Sequence, residues 1–212
     1  PSTTIHVGGD ECPRMNGKAS EFAQGRIEEL GLKDEEELQS HFIRRMDAFL
    51  HARGRRLIGW DEILEGGLSP NATVHSWRGE QGGIQAAKAG HDVVMAPFTP
   101  VYLDYYQSAD TSQEPQAIGG CNTLESLYAY EPIPAELTDL EARHVLGSQV
   151  QLWTEYVSTP EHAAYMYFPR TCAFSEVVWS AKEKRDYPEF LTRLEPHLAR
   201  LGALEMNFRA LD

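Results

Sequence analysis

Two adjacent carboxylates, Asp10 and Glu11, follow a glycine pair in the run His6-Val7-Gly8-Gly9-Asp10-Glu11. An acidic pair of this kind can transfer protons, bind a metal or fix a polar ligand. The stretch Thr3–Val7 before it is β-prone. Gly8 and Gly9 allow a tight turn or a close approach of backbone to ligand. Asp10 and Glu11 are therefore expected to project from the C-terminal end of a strand, where parallel α/β folds build their active sites.

Further chemistry-bearing residues recur after later β-prone runs. Trp60 precedes Asp61-Glu62, Trp77 precedes Arg78, Tyr102 precedes Leu103-Asp104, and Trp153 precedes Thr154-Glu155. A single tryptophan at a strand end is more often packing than binding. Three at matched positions beside carboxylates point instead to a ligand with apolar faces and polar edges. Sugar rings and N-acetyl methyl groups fit, because flat aromatic walls bury them at low entropic cost while carboxylates accept hydrogen bonds from the hydroxyls. In a partly desolvated pocket two carboxylates repel, which raises one pKa and suits that group to protonating a departing glycosidic oxygen. Directly adjacent residues are awkwardly spaced for an acid and a nucleophile placed across a sugar ring. That spacing suggests that the substrate supplies the nucleophile.

The elements that must position these groups follow from hydrophobic periodicity. Strands are expected at Thr3–Val7, Arg56–Trp60, Thr73–Trp77, Asp92–Met95 (extended towards Pro100–Tyr102) and Val145–Leu152. A helix is expected from Asp34 to Arg53, capped by Asp34, ended by Gly54, and buried through Leu38, Phe42, Met46, Phe49 and Leu50. A short Ala-rich helix at Gly83–Ala89 and closing helices at 160–182 and 187–204 complete the pattern, the last with a Leu191, Leu194, Leu198, Leu201, Leu204 stripe. Residues 105 to 143 read as a long excursion, helical near Leu124–Tyr128. Alternating strands and helices imply a parallel sheet. No glycine-rich phosphate loop follows any strand, which disfavours a doubly wound nucleotide binder. A TIM-type (β/α)8 barrel, which gathers strand ends on one face, is the expected α/β architecture. The 212 residues read as one domain, without linker or low-complexity tract.

A formal net charge of −13 argues against nucleic acid or an anionic membrane surface as partner. No run of about eighteen apolar residues is present, so no membrane span is expected. Cys12, Cys121 and Cys172 show neither CxxC nor zinc-ligand spacing. Metal binding by His6, Asp10 and Glu11 lacks a further ligand set at suitable spacing, so neither metal nor cofactor is expected. His75, mid-strand before Trp77, and Trp179, on a helix, are expected in the core. Asp61-Glu62 reads as the cap of a short helix at Ile63-Leu64.

His6-Val7-Gly8-Gly9-Asp10-Glu11 resembles the H-x-G-G-D-E signature of the family 20 glycoside hydrolases, the β-N-acetylhexosaminidases. Gly59-Trp60-Asp61-Glu62, Tyr102-Leu103-Asp104, Leu152-Trp153-Thr154-Glu155 and the stretch Pro169-Arg170 through Ala173, Glu176 and Trp179 are similar to further family motifs, in the same order. The resemblance implies that Glu11 is general acid and then general base, and that Asp10 orients the substrate's 2-acetamido group and stabilises its developing positive charge. It implies that the acetamido oxygen attacks the anomeric carbon, giving an oxazolinium-type intermediate opened by water with net retention. By the same resemblance Trp60, Trp77 and Trp153 wall the acetamido pocket, Tyr102 hydrogen-bonds its carbonyl, Asp104 and Glu155 bind outer sugar hydroxyls, and His6 supports the motif. The implied substrate is a glycan or glycoconjugate with a terminal β-linked N-acetylglucosamine or N-acetylgalactosamine.

In that family the first motif lies on the fourth barrel strand. Strands four to eight are thus expected here, as the C-terminal portion of a catalytic barrel over residues 1–212. The earlier strands, a sugar-clamping arginine and a preceding α/β domain would be absent, since a full barrel takes about 250 residues. Alone, such a fragment is expected to be poorly active unless it forms a homodimer or pairs with the missing N-terminal half. The chain itself does not indicate a compartment; the resemblance implies a periplasmic, secreted or lysosomal parent. The rival classes are a non-catalytic carbohydrate-binding barrel fragment and, remotely, a GG[DE]E-type nucleotide cyclase, whose motif would be followed by phenylalanine rather than Cys12-Pro13.

Overall fold

The computed structural model describes residues 2–211. The described residues divide into two compact units, one formed by residues 2–95 and 133–146, the other by 96–132 and 147–211.

The first unit is built on parallel strands β1 (Thr4–His6), β2 (Arg56–Trp60), β3 (Thr73–Ser76) and β4 (Val93–Met95). They pair in chain order, with Ile5 opposite Leu57, Gly59 opposite Val74 and His75 opposite Val94. A later strand, Val145–Ser148, follows β4 in the sheet order, and its Val145 packs against this unit's core. Sequential parallel order without a reversal is how a barrel is wound; a doubly wound sheet reverses at its switch point.

Three helices, α1 (Arg14–Ala19), α2 (Glu21–Leu30) and α3 (Glu35–His51), fill the connection from β1 to β2. The first two were not anticipated from periodicity. The third starts as expected: the Asp34 carboxylate accepts the Glu36 and Glu37 backbone N–H groups at 3.1 and 3.0 Å. It ends at His51, before Gly54.

Its buried face is only partly the expected one: Met46 and Leu50 do pack against the core. Ser40, Ile43 and Asp47 point inward, whereas Phe42 and Phe49 are exposed. The loop after β2 explains this. The Ser40 hydroxyl contacts the carbonyls of Glu65 and Gly67 at 2.7 and 2.9 Å, and Asp47 accepts from Ser69 at 2.5 Å. A polar stripe thus faces the sheet because it satisfies loop groups that would otherwise be buried without partners. Helix α4 (Gln81–Lys88) covers β3 and β4 through Ile84, Ala86 and Ala87.

The second unit is less regular. After β4 the expected strand extension is replaced by a helical turn, α5 (Phe98–Val101), and Tyr102 makes only an isolated parallel bridge to Gln151. Strands β5 (Tyr105–Tyr106) and β6 (Gly119–Cys121) form a separate bulged pair. The strand Val145–Ser148, β7, whose first two residues belong to the first unit, is shorter than the expected Val145–Leu152. Helix α6 (Leu124–Tyr128) falls where anticipated, followed by α7 (Pro160–Tyr167), α8 (Arg170–Trp179) and α9 (Tyr187–Ala203).

Helix α9 buries Phe190, Leu194, Leu198 and Leu201, with Leu204 exposed beyond its end. Trp179 is 91% exposed rather than in the core. It is the last residue of α8, whose buried side chains are Arg170, Ala173 and Val177. Among the described residues no helix is long and apolar enough to cross a membrane.

Candidate functional site

The residues singled out in sequence fall into two sets, one in each unit. In the first unit, β1 ends in a turn that needs its glycines. Gly8 and Gly9 have φ of +72° and +105°, and a Cβ on Gly9 would lie 2.7 Å from the Ile63 Cγ2. The turn also approaches β2 closely. The Trp60 N–H donates to the Gly8 carbonyl at 3.0 Å, and a Cβ on Gly59 would meet that same oxygen at 2.9 Å. Gln39 on α3 donates to the Gly9 carbonyl at 2.7 Å. Glu11 then takes a left-handed φ of +46°, a costly conformation for a side-chain-bearing residue and one that clusters at functional sites. Both Asp10 and Glu11 are exposed, whereas a partly desolvated pair was expected.

Three rings gather behind the turn. Trp60 stacks on His75 at 4.2 Å between centroids and meets His6 edge-on at 5.0 Å. The His6 Nδ1 accepts the Gly8 N–H at 3.0 Å, so the neutral ring carries its proton on Nε2. Burial lowers the His6 pKa, partly opposed by the Asp10 charge. His75 is buried, as its pattern suggested; burial and the neighbouring His6 push its pKa down to about 4.

Trp77 is held by two carboxylates. Its backbone N–H donates to Asp61 at 2.9 Å, and its indole N–H donates to Glu62, 2.9 Å from Oε2 and 3.2 Å from Oε1. Arg78 closes on Asp61 at 2.5 Å. Asp61-Glu62 does begin a short helical turn, Asp61–Leu64, but its side chains reach across to β3's end as well. Glu62 is a residue that sequence reasoning left aside. The signal was its place directly after Trp60-Asp61, at a strand end.

In the second unit the structure brings together Tyr102, Asp104, Trp153 and Glu155. The rings of Tyr102 and Trp153 are 6.5 Å apart, with Trp153 42% exposed and Tyr102 buried. Asp104 is 3% exposed, and its Oδ1 is buried without a hydrogen-bond partner among the described residues. Burial pushes its carboxyl pKa up to about 6; backbone N–H groups, including that of Trp153, oppose the rise, and the Glu155 charge adds to it.

Among the described residues only two main-chain hydrogen bonds tie this segment to Gln151 (the Leu103 N–H to its carbonyl at 2.6 Å, its N–H to Val101 at 3.3 Å), and side chains take up most of the remaining carbonyls. Arg170, fully buried, donates to the carbonyls of Leu103, Tyr105, Asn122 and Met166 at 2.5–3.0 Å. Asn122 donates to the Tyr102 carbonyl at 2.9 Å. The Asp104 carbonyl accepts from the Ile118 N–H at 3.2 Å. Every carbonyl from Tyr102 to Tyr105 is thereby satisfied. Arg170 lay in a motif noted in sequence without a role; Asn122 gave no signal.

Sequential parallel strands with carboxylates and indoles at their C-terminal ends define part of a TIM-type α/β barrel whose functional groups suit a ligand of mixed polarity. Known proteins give this class a family. The model of glycosyl hydrolase family 20, catalytic domain, matches residues 1–182, and the chain belongs to that family.

It is 50% identical over 209 residues to a β-hexosaminidase of Porphyromonas gingivalis and 33% identical over 177 residues to one of Vibrio furnissii. These alignments take in 98% and 82% of this chain but only 27% and 29% of the relatives' lengths. Among solved structures, an exo-β-N-acetylglucosaminidase of Vibrio harveyi in complex with N-acetylglucosamine superposes with a TM-score of 0.88 at 34% identity. That match covers 99% of this chain and 33% of the other.

Proposed function

We propose that this chain is the C-terminal portion of the catalytic barrel of a retaining exo-β-N-acetylhexosaminidase, acting on terminal β-linked N-acetylglucosamine or N-acetylgalactosamine. Glu11 protonates the departing glycosidic oxygen and later deprotonates the incoming water. Asp10 orients the 2-acetamido group, whose carbonyl oxygen attacks the anomeric carbon, and stabilises the positive charge of the oxazolinium-type intermediate. Trp60, Trp77 and Trp153 serve as walls for the acetamido group, and the Tyr102 hydroxyl donates to its carbonyl. Asp104 and Glu155 accept from outer hydroxyls, and His6 supports the catalytic turn through the Gly8 N–H.

The observation that carries this reading is the Gly8-Gly9 turn. It delivers two neighbouring carboxylates from one strand end, with Glu11 in a left-handed conformation that directs successive side chains out of the usual strand alternation. Family membership and the Asp104 carboxylate, buried with an oxygen left for an outside donor, support it further.

The test, run on this chain paired with the N-terminal half of the barrel that it is expected to need, compares aryl N-acetyl-β-glucosaminide with the corresponding aryl β-glucoside. Turnover is expected only of the first, because only it carries the nucleophile. Glu11→Gln is expected to lower that turnover by about 10²–10⁴-fold while sugar binding persists. Asp10→Asn is expected to slow formation of the charged intermediate. Equal rates on both substrates would remove the substrate-assisted mechanism. Binding that is indifferent to Glu11→Gln in a chain without turnover would identify a carbohydrate-binding fragment instead.

A further inference from the structure

Glu62 is 7% exposed, and the hydrogen-bond donor it faces is the indole N–H of Trp77. Burying a carboxylate is costly, and an apolar or amide side chain would fill the same space more cheaply. The cation beside it is engaged more closely elsewhere. Arg78 lies 3.7 Å from the Glu62 Oε1 but donates at 2.5 Å to Asp61 and at 2.8 Å to Glu65. Asp61 in turn takes the backbone N–H groups of Trp77 and Arg78, at 2.9 and 3.1 Å. The labour is divided: Asp61 fixes the main chain and the guanidinium, and Glu62 is directed at the ring.

We propose that Glu62 is a positioning residue acting through Trp77. Its carboxylate sets the plane of the indole and, as an anion on the ring's N–H, makes the π face more electron-rich towards the positive charge that develops on the substrate's acetamido group. This rests on the reading of Trp77 as an acetamido wall. The physical basis is that a ring's attraction for a cation follows the electron density of its face, and a charge-assisted hydrogen bond polarises the donor group. On balance burial raises the Glu62 pKa; the Trp77 hydrogen bond and the Arg78 charge oppose that rise and favour the ionised form that the inference needs.

Glu62→Gln keeps an acceptor for the indole and removes the charge; Glu62→Leu removes both. The probes are N-acetylglucosamine, which is neutral, and its analogue in which a cationic acetamidinium replaces the 2-acetamido group. The Trp77 indole N–H resonance is followed alongside. In Glu62→Gln the acetamidinium probe is expected to lose about tenfold in affinity and N-acetylglucosamine less than twofold, with the indole resonance shifted upfield but still protected from solvent exchange. In Glu62→Leu both probes weaken and protection is lost.

Equal loss of the two probes in Glu62→Gln, or no loss of either, overturns the inference while leaving the proposed function standing. Failure of the unsubstituted chain, paired with the N-terminal half of the barrel, to bind either probe overturns both.

Discussion

The two units hold their candidate carboxylates by opposite means. In the first, Asp10 and Glu11 hang from a turn fixed mainly by main chain: the Val7 N–H donates to Ile58 at 2.9 Å, the Trp60 N–H donates to Gly8 at 3.0 Å, and glycines permit the close approach. In the second, Asp104 sits where the strand ladder has dissolved, and a buried arginine replaces the missing donors. Regular structure satisfies carbonyls without side-chain specificity. Irregular structure at a binding position needs a dedicated donor, and that donor becomes as necessary as the group it supports.

The sharpest way to break this contrast is Arg170→Met. Four buried carbonyls would lose donors, each costing on the order of 1–3 kcal/mol, partly offset by no longer burying a cation. A loss of about 3–5 kcal/mol in denaturant unfolding is expected, and Arg170→Lys should recover only a small part because an ammonium cannot fork to four acceptors. A loss below about 1 kcal/mol would show that the second unit does not depend on this residue.

The units also differ in the sign of their response to acid. His75 is pushed from 6.5 down to about 4, so between those values the unfolded chain takes up a proton that the folded chain refuses, and stability falls as pH falls. Asp104 is pushed from 3.8 up to about 6, so the folded chain holds the extra proton and its contribution rises as pH falls through nearly the same window. Each effect is on the order of 3 kcal/mol. Urea unfolding at a series of pH values between 4 and 7 is expected to give a flatter acid limb for His75→Gln and a steeper one for Asp104→Asn. Changes of slope in the same direction for the two variants would contradict the assigned environments.

Gly59→Ala probes the first unit's dependence on close backbone approach. The added Cβ would meet the Gly8 carbonyl oxygen at 2.9 Å and Ile63 Cγ2 at 2.8 Å. Overpacking of this kind costs about 1–3 kcal/mol. A matching drop in melting temperature, together with reduced turnover because the Glu11 turn is displaced, is expected. An unchanged melting temperature would mean that the turn and β2 can separate freely.

The first unit was the more legible in sequence, for the same physical reason. Its strands are short runs with β-branched residues, its glycines stand where the backbone turns, and Asp34 announces α3. What periodicity missed there was the inward face of α3, because Ser40 and Asp47 are buried by partners on a loop distant in sequence. Helices α1 and α2 were missed because neither has a broad apolar face: α1 buries nothing and α2 only Ile27.

In the second unit, strand patterns around Tyr102 and Gln151 were read as longer strands than exist. Among the described residues those segments are joined to each other by only two main-chain hydrogen bonds, and the carbonyls around Leu103 are otherwise taken by Arg170 and Asn122, which sit far along the chain. The strand-end indoles and carboxylates could be located by local pattern. The groups that hold them, Glu62 on Trp77 and Arg170 around Asp104, are tertiary facts with no local signature.

The smallest effect is expected at Gln39, and it sharpens the comparison most directly. Gln39 does for the first unit what Arg170 does for the second, donating from a helix to a carbonyl beside a candidate catalytic carboxylate, here Gly9 at 2.7 Å. It makes one such bond where Arg170 makes four, and the same turn is already tied to β2 by main-chain hydrogen bonds. Gln39→Leu is therefore expected to cost only about 1 kcal/mol in denaturant unfolding. A cost approaching that of Arg170→Met would mean that the Gly8-Gly9 turn is held by side chains after all. The two units would then share one strategy, with the sheet only bringing the chain to the place where a helix side chain takes hold.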